Sequence, residues 1–192
     1  MAAIKSKFVS RVIVSTDSKK IANLAIRFGA EVPFLRPKKL SKKNSSIKDV
    51  CSHVIKFLEK NENLKIPEIL ILQPTSPLRT SNDIDKSIKL FKRKKNINYL
   101  TSLTKVKPIE WCFYKNKQQK FSQILNNKIV NSQYLRQAYI LNGAIYIMKR
   151  DVVFGKKIDF KNVDAIEMPF ERSIDIDDIN DFYLAKSLQK IK

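Results

Sequence analysis

The stretch ILILQPTSPLRT, Ile69 to Thr80, decides how the rest of this chain is read. It opens as a continuous apolar run and closes as a polar loop with two prolines, Pro74 and Pro77. A short apolar run bounded by turn residues is the pattern of a buried strand in a parallel sheet. Pro74 has no N–H to give to a ladder and Pro77 restricts Ser76 before it, so the chain leaves the sheet there. Asn82 to Lys94 then carries apolar residues at Ile84, Ile88 and Phe91, with Ser81 and Asn82 as candidate caps of a helix. In open α/β sheets the loop beyond the carboxyl end of a strand is where ligands sit. Gln73, Thr75, Ser76 and Arg79 are offered to that crevice. A well-capped βα turn without a ligand is the alternative, and Pro and Ser alone favour it.

Outward from this stretch the same alternation continues. Arg11 to Ser15 is a short apolar strand, and Thr16 to Ser18 break it and cap the first helix. Ile21, Leu24, Ala25 and Phe28 stand at i, i+3, i+4 and i+7, a helical stripe that Gly29 stops. Glu31 to Leu35 is the next strand, and a strand–helix–strand crossover of this kind makes its strands parallel. Ile47, Val50, Cys51, Val54, Ile55 and Leu58 give a second amphipathic helix, capped by Ser45 or Ser46, that leads into the central strand. Beyond the Asn82 helix, Tyr99 to Thr104 reads as a strand. Residues 105–137 lose all periodicity and are read as an excursion or small hairpin, rich in aromatics at Trp111, Phe113, Tyr114, Phe121 and Tyr134. Those aromatics mark an interface or cover the sheet edge. Ala138 to Met148 returns as a long strand interrupted at Asn142-Gly143, where a glycine suggests a bulge or a close ligand approach. Val163 to Met168 and Ser173 to Ile176 are short strands, and Ile179 to Ile191 closes the chain as a helix with Phe182, Ala185 and Leu188 or Gln189 as its stripe. The expected fold is α/β, a mostly parallel central sheet flanked by helices, in one domain spanning 1–192.

Composition narrows the function. A hydrophobic fraction of 43% over 192 residues is enough for a real core. No apolar run approaches the roughly 18 residues of a membrane helix, and no leader is visible, so a cytoplasmic protein is expected. Cys51 and Cys112 are read as free thiols. His53, the only histidine, leaves no material for a zinc site or a Ser/His/Asp triad and is placed on the outer side of its helix. The net charge of +20 admits a nucleic-acid role. The lysines are scattered through every segment, however, which argues against nucleic acid and leaves a field that favours anionic small substrates.

A second constellation is SIDIDDINDF, Ser173 to Phe182. In an extended chain Asp175 and Asp177 point to one face, with Ile174 and Ile176 on the other. Two such carboxylates suit one hard cation with oxygen ligands, as Mg²⁺ takes one or two carboxylates plus phosphate oxygens. Acidic residues at a helix start are also favoured simply by the dipole, and spacing alone prefers that reading.

Taken in order, VIVSTD (Val12 to Asp17), EVPFLRP (Glu31 to Pro37), QPTSPLR (Gln73 to Arg79), NGAIYI (Asn142 to Ile147) and SIDID (Ser173 to Asp177) resemble the motifs of the acylneuraminate cytidylyltransferases, the CMP-sialic acid synthetases. The resemblance covers nearly the whole chain. It implies a Rossmann-like nucleotidyltransferase that moves CMP from CTP onto a nine-carbon 2-keto sugar acid and releases pyrophosphate. Carried over position by position, it puts Arg36 and Ser46 near the nucleotide, and Gln73, Asn142 and Tyr146 on the sugar acid. Arg79 matches the same loop, either on the substrate or bracing backbone carbonyls. Asp175 and Asp177 become the catalytic pair that holds Mg²⁺. A homodimer is expected from the family and the aromatic excursion. No residue is assigned as general base.

The chain also departs from that pattern. The family opens with a strand and a Gly/Arg/Lys-rich loop that cradles the triphosphate, whereas this sequence has three glycines, Gly29, Gly143 and Gly155, and no such loop. Lys42-Lys43 stands where relatives commonly have an aspartate, and Ile140 where they often carry an arginine. A truncated, non-catalytic remnant is therefore the alternative to an active enzyme, and a basic nucleic-acid-binding protein is a third reading.

Overall fold

The computed structural model describes residues 2–42, 44–125, 131–161 and 163–190. Lys43, residues 126–130 of the aromatic excursion and Ile191 of the closing helix lie outside the described residues. The main elements in chain order are α1 (Lys19–Arg27), α2 (Ile47–Glu62), β1 (Glu68–Ile71), α3 (Ser81–Arg93), β2 (Tyr99–Val106), β3 (Phe113–Lys115), β4 (Phe121–Gln123), β5 (Ala138–Lys149), α4 (Arg150–Val153), β6 (Asp164–Glu167) and α5 (Ile179–Lys190).

Four strands form one sheet in the order β1-β5-β2-β6. β5 is antiparallel to both β1 and β2, and β6 is parallel to β2. Three of the four strands therefore share one direction and β5 alone is reversed, which is the mostly parallel α/β sheet expected from the sequence. Helices cover both faces. Ile84, Ile88 and Phe91 of α3 pack with Leu100, Ile145 and Ile147 on one side, with Leu70 joining them. Ile55 of α2 and Val152 and Val153 of α4 pack with Tyr99 and Met148 on the other, joined by Ile69 and Ile71. Successive residues of β1 thus enter opposite cores, which is why its sequence is apolar without alternation.

The structure corrects several expectations. β1 is an edge of the described sheet rather than its centre. The strands read at Arg11 to Ser15 and Glu31 to Leu35 reduce to one parallel bridge, Ile13 with Glu31, flanked by Val14 N–H to Glu31 O at 2.9 Å and Glu31 N–H to Val12 O at 2.8 Å. The direction of the crossover is as read, but no ladder extends from it. Ile21, Leu24 and Phe28 are 53, 52 and 53% exposed, and α1 buries Ala22 instead. Periodicity shows which face of a helix is apolar; what covers that face is a tertiary matter. In α5 likewise Ala185 is buried while Phe182 is exposed. Ser173 to Ile176 joins no ladder; its backbone bonds run from Ser173 N–H to Phe170 O at 2.9 Å and from Ile176 N–H to Thr75 O at 2.8 Å. Thr80, not Ser81 or Asn82, caps α3, in a capping box with Asp83. His53 is half-buried, with its ring edge-on to Phe34 at 4.7 Å, so it faces solvent only in part.

The excursion contains a hairpin of its own, β3 with β4. Tyr114 and Phe121 on it are 65 and 67% exposed, so these two rings cover no sheet edge. Both cysteines are free. No helix among the described residues is long and apolar enough to cross a membrane.

Candidate active site

The loop after β1 is built around a half-buried cation. Arg79 turns inward and donates from Nη1 and Nη2 to the Gln73 carbonyl at 2.9 and 2.5 Å, and from Nη1 to the Ser76 carbonyl. A planar fork is suited to tying two carbonyls of one tight loop. Burial pushes the guanidinium down to about 10, and the charge of Asp175 opposes that shift. Ser76, read from sequence as facing the crevice, is fully buried. Its Oγ lies 3.2 Å from the Asn142 carbonyl oxygen and 3.4 Å from Asp175 Oδ1, and with a single proton it donates to one acceptor or the other.

The interruption in β5 faces this loop. Thr101 pairs with Tyr146 and Leu103 with Leu141, so Ser102 alone stands opposite residues 142–145 of β5. This is a bulge, and a buried amide holds it open. Asn142 Nδ2 donates to Ser173 Oγ at 2.9 Å, while Oδ1 accepts from Ser102 Oγ at 2.6 Å and Ala144 N–H at 3.2 Å. The Asn142 carboxamide is therefore engaged inside the protein. Gly143 follows it with φ +68°, in the left-handed region that favours glycine. A Cβ there would lie 2.6 Å from Gln73 Oε1, 2.8 Å from Asp175 Oδ2 and 3.0 Å from Ser76 Oγ. Three polar side chains from two distant segments converge on one bare α-carbon.

The acidic segment divides by role. Ile174 packs with Leu78 and Ala185, and Ile176 joins the same cluster, which leaves the intervening Asp175 and the following Asp177 on the other side of an extended chain. Asp178 Oδ1 accepts from the N–H groups of Asn180 and Asp181 at 2.7 and 3.0 Å, and Asp181 Oδ2 accepts from those of Asp177 and Asp178 at 3.0 and 3.2 Å. Those two carboxylates serve the start of α5. Asp175 and Asp177 are the pair that could hold a divalent ion. The described residues contain no cluster of three or more candidate metal-ligating side chains. The pair therefore suits an ion that takes most of its ligands from phosphate and water. Asp175 Oδ2 faces the space above Gly143 that a side chain would fill.

Tyr146 is half-buried on β5, and burial, followed by the charge of Asp175, pushes its phenol up. Gln73, Arg79, Tyr146 and Asp175 are thus brought into one neighbourhood. Arg36 and Ser46 have other partners: Arg36 Nε donates to Ser41 Oγ at 3.2 Å and its Nη2 lies 3.8 Å from Asp17, while Ser46 caps α2. None of these contacts joins them to the Gly143 cluster. Sequence reasoning missed Ser102 and Ser173, which hold Asn142, and the Asp83–Arg172 pair beside the loop. Asp83 was detectable as the acidic third residue after a Thr cap; Arg172 carried no signal.

A family model described as "Cytidylyltransferase" matches residues 1–179. The chain is 29% identical over 199 residues to CMP-N,N'-diacetyllegionaminic acid synthase of Legionella pneumophila, covering 100% of this chain and 83% of that protein. It is 27% identical over 192 residues to a pseudaminic acid cytidylyltransferase of Campylobacter jejuni, covering 98% of this chain and 82% of the relative. Among solved structures it resembles CMP:2-keto-3-deoxy-manno-octonic acid synthetase complexed with CTP, with a TM-score of 0.63 at 15% identity over 98% of this chain and 85% of that one. That likeness concerns the fold.

Proposed function

This chain belongs to the cytidylyltransferase family, and on that premise we propose that it transfers CMP from CTP to a nine-carbon 2-keto sugar acid with release of pyrophosphate. The acids named for its relatives, diacetyllegionaminic and pseudaminic, are of this type and support the choice. The observation that carries the reading is the convergence of Gln73, Ser76 and Asp175 on Gly143, a tight polar cluster at the end of β1. Gln73 and Tyr146 line the sugar side of it. Asn142 acts at one remove, since its carboxamide holds the bulge that presents Gly143. Arg36 and Ser46 stand on the nucleotide side.

The anomeric hydroxyl attacks the α-phosphorus, a new O–P bond forms, and the bond to the β-phosphate oxygen breaks as pyrophosphate leaves. The hydroxyl proton passes to solvent. In such transfers the protein chiefly fixes the reactants in line and offsets charge. Asp175 and Asp177 would hold Mg²⁺, which would supply positive charge to offset that of the phosphates. Arg79 keeps the Gln73 carbonyl in place, so the Gln73 side chain emerges from a fixed backbone. A homodimer formed through the exposed hairpin aromatics completes the reading.

The test is Mg²⁺-dependent pyrophosphate release from CTP with a panel of nine-carbon 2-keto acids. Release with one acid, lost in Asp177→Asn, is the expected result. Release that persists unchanged in Asp177→Asn overturns the metal assignment. A folded protein that neither releases pyrophosphate nor binds CTP is the non-catalytic remnant.

A further inference from the structure

The polar cluster at Gly143 is assembled from segments held together in unequal ways. β1 and β5 are laddered, so Gln73 and Gly143 inherit a fixed relation. The segment carrying Asp175 and Asp177 belongs to no ladder, and among its backbone groups only the Ile176 N–H bonds the loop after β1. At its start Ser173 Oγ accepts from Asn142 Nδ2 of β5 at 2.9 Å, and the residue before it ties the segment to the loop after β1.

Arg172 opens that segment, and it reaches across 89 residues of sequence to Asp83. Its Nε and Nη2 donate to Asp83 Oδ2 and Oδ1, each at 2.9 Å, a two-point fork on one carboxylate. Asp83 Oδ2 also accepts from the Thr80 N–H at 2.9 Å and from Thr80 Oγ1 at 2.7 Å. The Asp83 side chain is 4% exposed, so this carboxylate has almost no water to fall back on. One buried group therefore closes the Gln73–Thr80 loop at its far end and grips the chain three residues before Asp175. The side-chain hydrogen bonds of Asp83 and Arg172 go to each other and to Thr80, not to Gln73, Ser76 or Asp175.

We propose that Asp83 and Arg172 are positioning residues, a clamp that holds the Asp175–Asp177 segment at a fixed distance from the Gln73–Ser76 loop. A bidentate pair resists both translation and rotation, which a single hydrogen bond such as that of Ile176 does not. Loss of the fork lets the acidic segment drift while the sheet stays intact. The consequence for metal binding rests on the assignment of Asp175 and Asp177 proposed above; the mechanical role does not.

Native-state hydrogen exchange of the Ile176 amide reads the clamp directly, because that N–H is the segment's bond to Thr75. Exchange in Asp83→Asn and in Arg172→Lys is expected to rise at least tenfold at Ile176, with Ile145 and Leu100 of the sheet rising far less. Mn²⁺ affinity, followed by electron paramagnetic resonance on the same proteins, is expected to fall in parallel. Equal increases at Ile176, Ile145 and Leu100 reduce the pair to a global stabiliser and overturn the proposal, as does an unchanged Ile176. A selective rise at Ile176 with no Mn²⁺ binding, even in the wild type, upholds the clamp and removes the metal reading instead. Lys in place of Arg keeps the charge and loses the fork, so a normal Arg172→Lys protein would also refute the two-point grip.

Discussion

Gly143→Ala separates backbone strain from crowding at the site. The residue has φ +68°, and an L side chain in that region costs about 1–2 kcal/mol. Crowding comes in addition, since the new Cβ lies 2.6 Å from Gln73 Oε1 and 2.8 Å from Asp175 Oδ2. Ordinary contact begins near about 3.5 Å, so the Gln73 tip must retreat by about 0.9 Å. Both offending atoms are ends of side chains, and they can move without unfolding the sheet. The crowding therefore shows as misplaced site groups more than as lost stability. Displacement of about 1 Å in a positioned site is worth on the order of 100-fold in rate. Gly155→Ala is the matched control, with φ +126° and nothing within 4 Å of its added Cβ. Urea unfolding and pyrophosphate release on both variants give the comparison. The expected result is a loss of roughly 1–2 kcal/mol in Gly143→Ala and of roughly 1–3 kcal/mol in Gly155→Ala, with turnover reduced on the order of 100-fold in Gly143→Ala alone. Wild-type turnover in Gly143→Ala would refute the claim that the α-carbon of Gly143 must stay bare for Gln73 and Asp175 to keep their places.

Three other perturbations have outcomes set by the same contacts. Arg79→Lys keeps the charge but loses the fork that ties the Gln73 and Ser76 carbonyls; a loss of about 2 kcal/mol in urea unfolding is expected, with a matching fall in kcat/KM. Burial pushes the Asp83 carboxyl up, but the Arg172 and Thr80 hydrogen bonds outweigh it and hold it below the usual carboxylate range. Its contribution to stability is thus present above the unfolded value of about 4 and is lost as pH falls through the lower folded value. Unfolding midpoints between neutral and strongly acid pH should fall less steeply in Asp83→Asn than in the wild type, and parallel curves would contradict this. Sedimentation velocity should show a dimer for the wild type and a monomer for Tyr114→Asp with Phe121→Asp, whose rings stand exposed on the hairpin; a monomeric wild type removes that interface.

Much of the fold was legible because its signals are local. Ile84, Ile88 and Phe91 announce α3 by spacing, and the prolines after Ile71 announce the exit from β1. The Asn142-Gly143 interruption was readable as a bulge because glycine in a strand has few other uses. The α1 stripe was equally legible as an apolar face, yet Ile21, Leu24 and Phe28 stand half-exposed. Nothing within so short a helix can say which surface will meet it. Asn142 shows the complementary limit. Its residue type suggests a ligand-facing amide, but Ser102 and Ser173, 40 and 31 residues away, take up both ends of it.

The sequence by itself determined which segments become strands and helices in most of the chain, the loop that carries Gln73, and the paired spacing of Asp175 and Asp177. Periodicity, prolines and caps act over a few residues, so they are written where they act. Only the tertiary structure decided that Gly143 is the point on which Gln73, Ser76 and Asp175 converge, and that Arg172 reaches Asp83. Those relations depend on how β5 runs beside β1 and how the final segment crosses the loop. Contacts between chain segments tens of residues apart leave no periodicity to read, and they exist only once the sheet has brought those segments together.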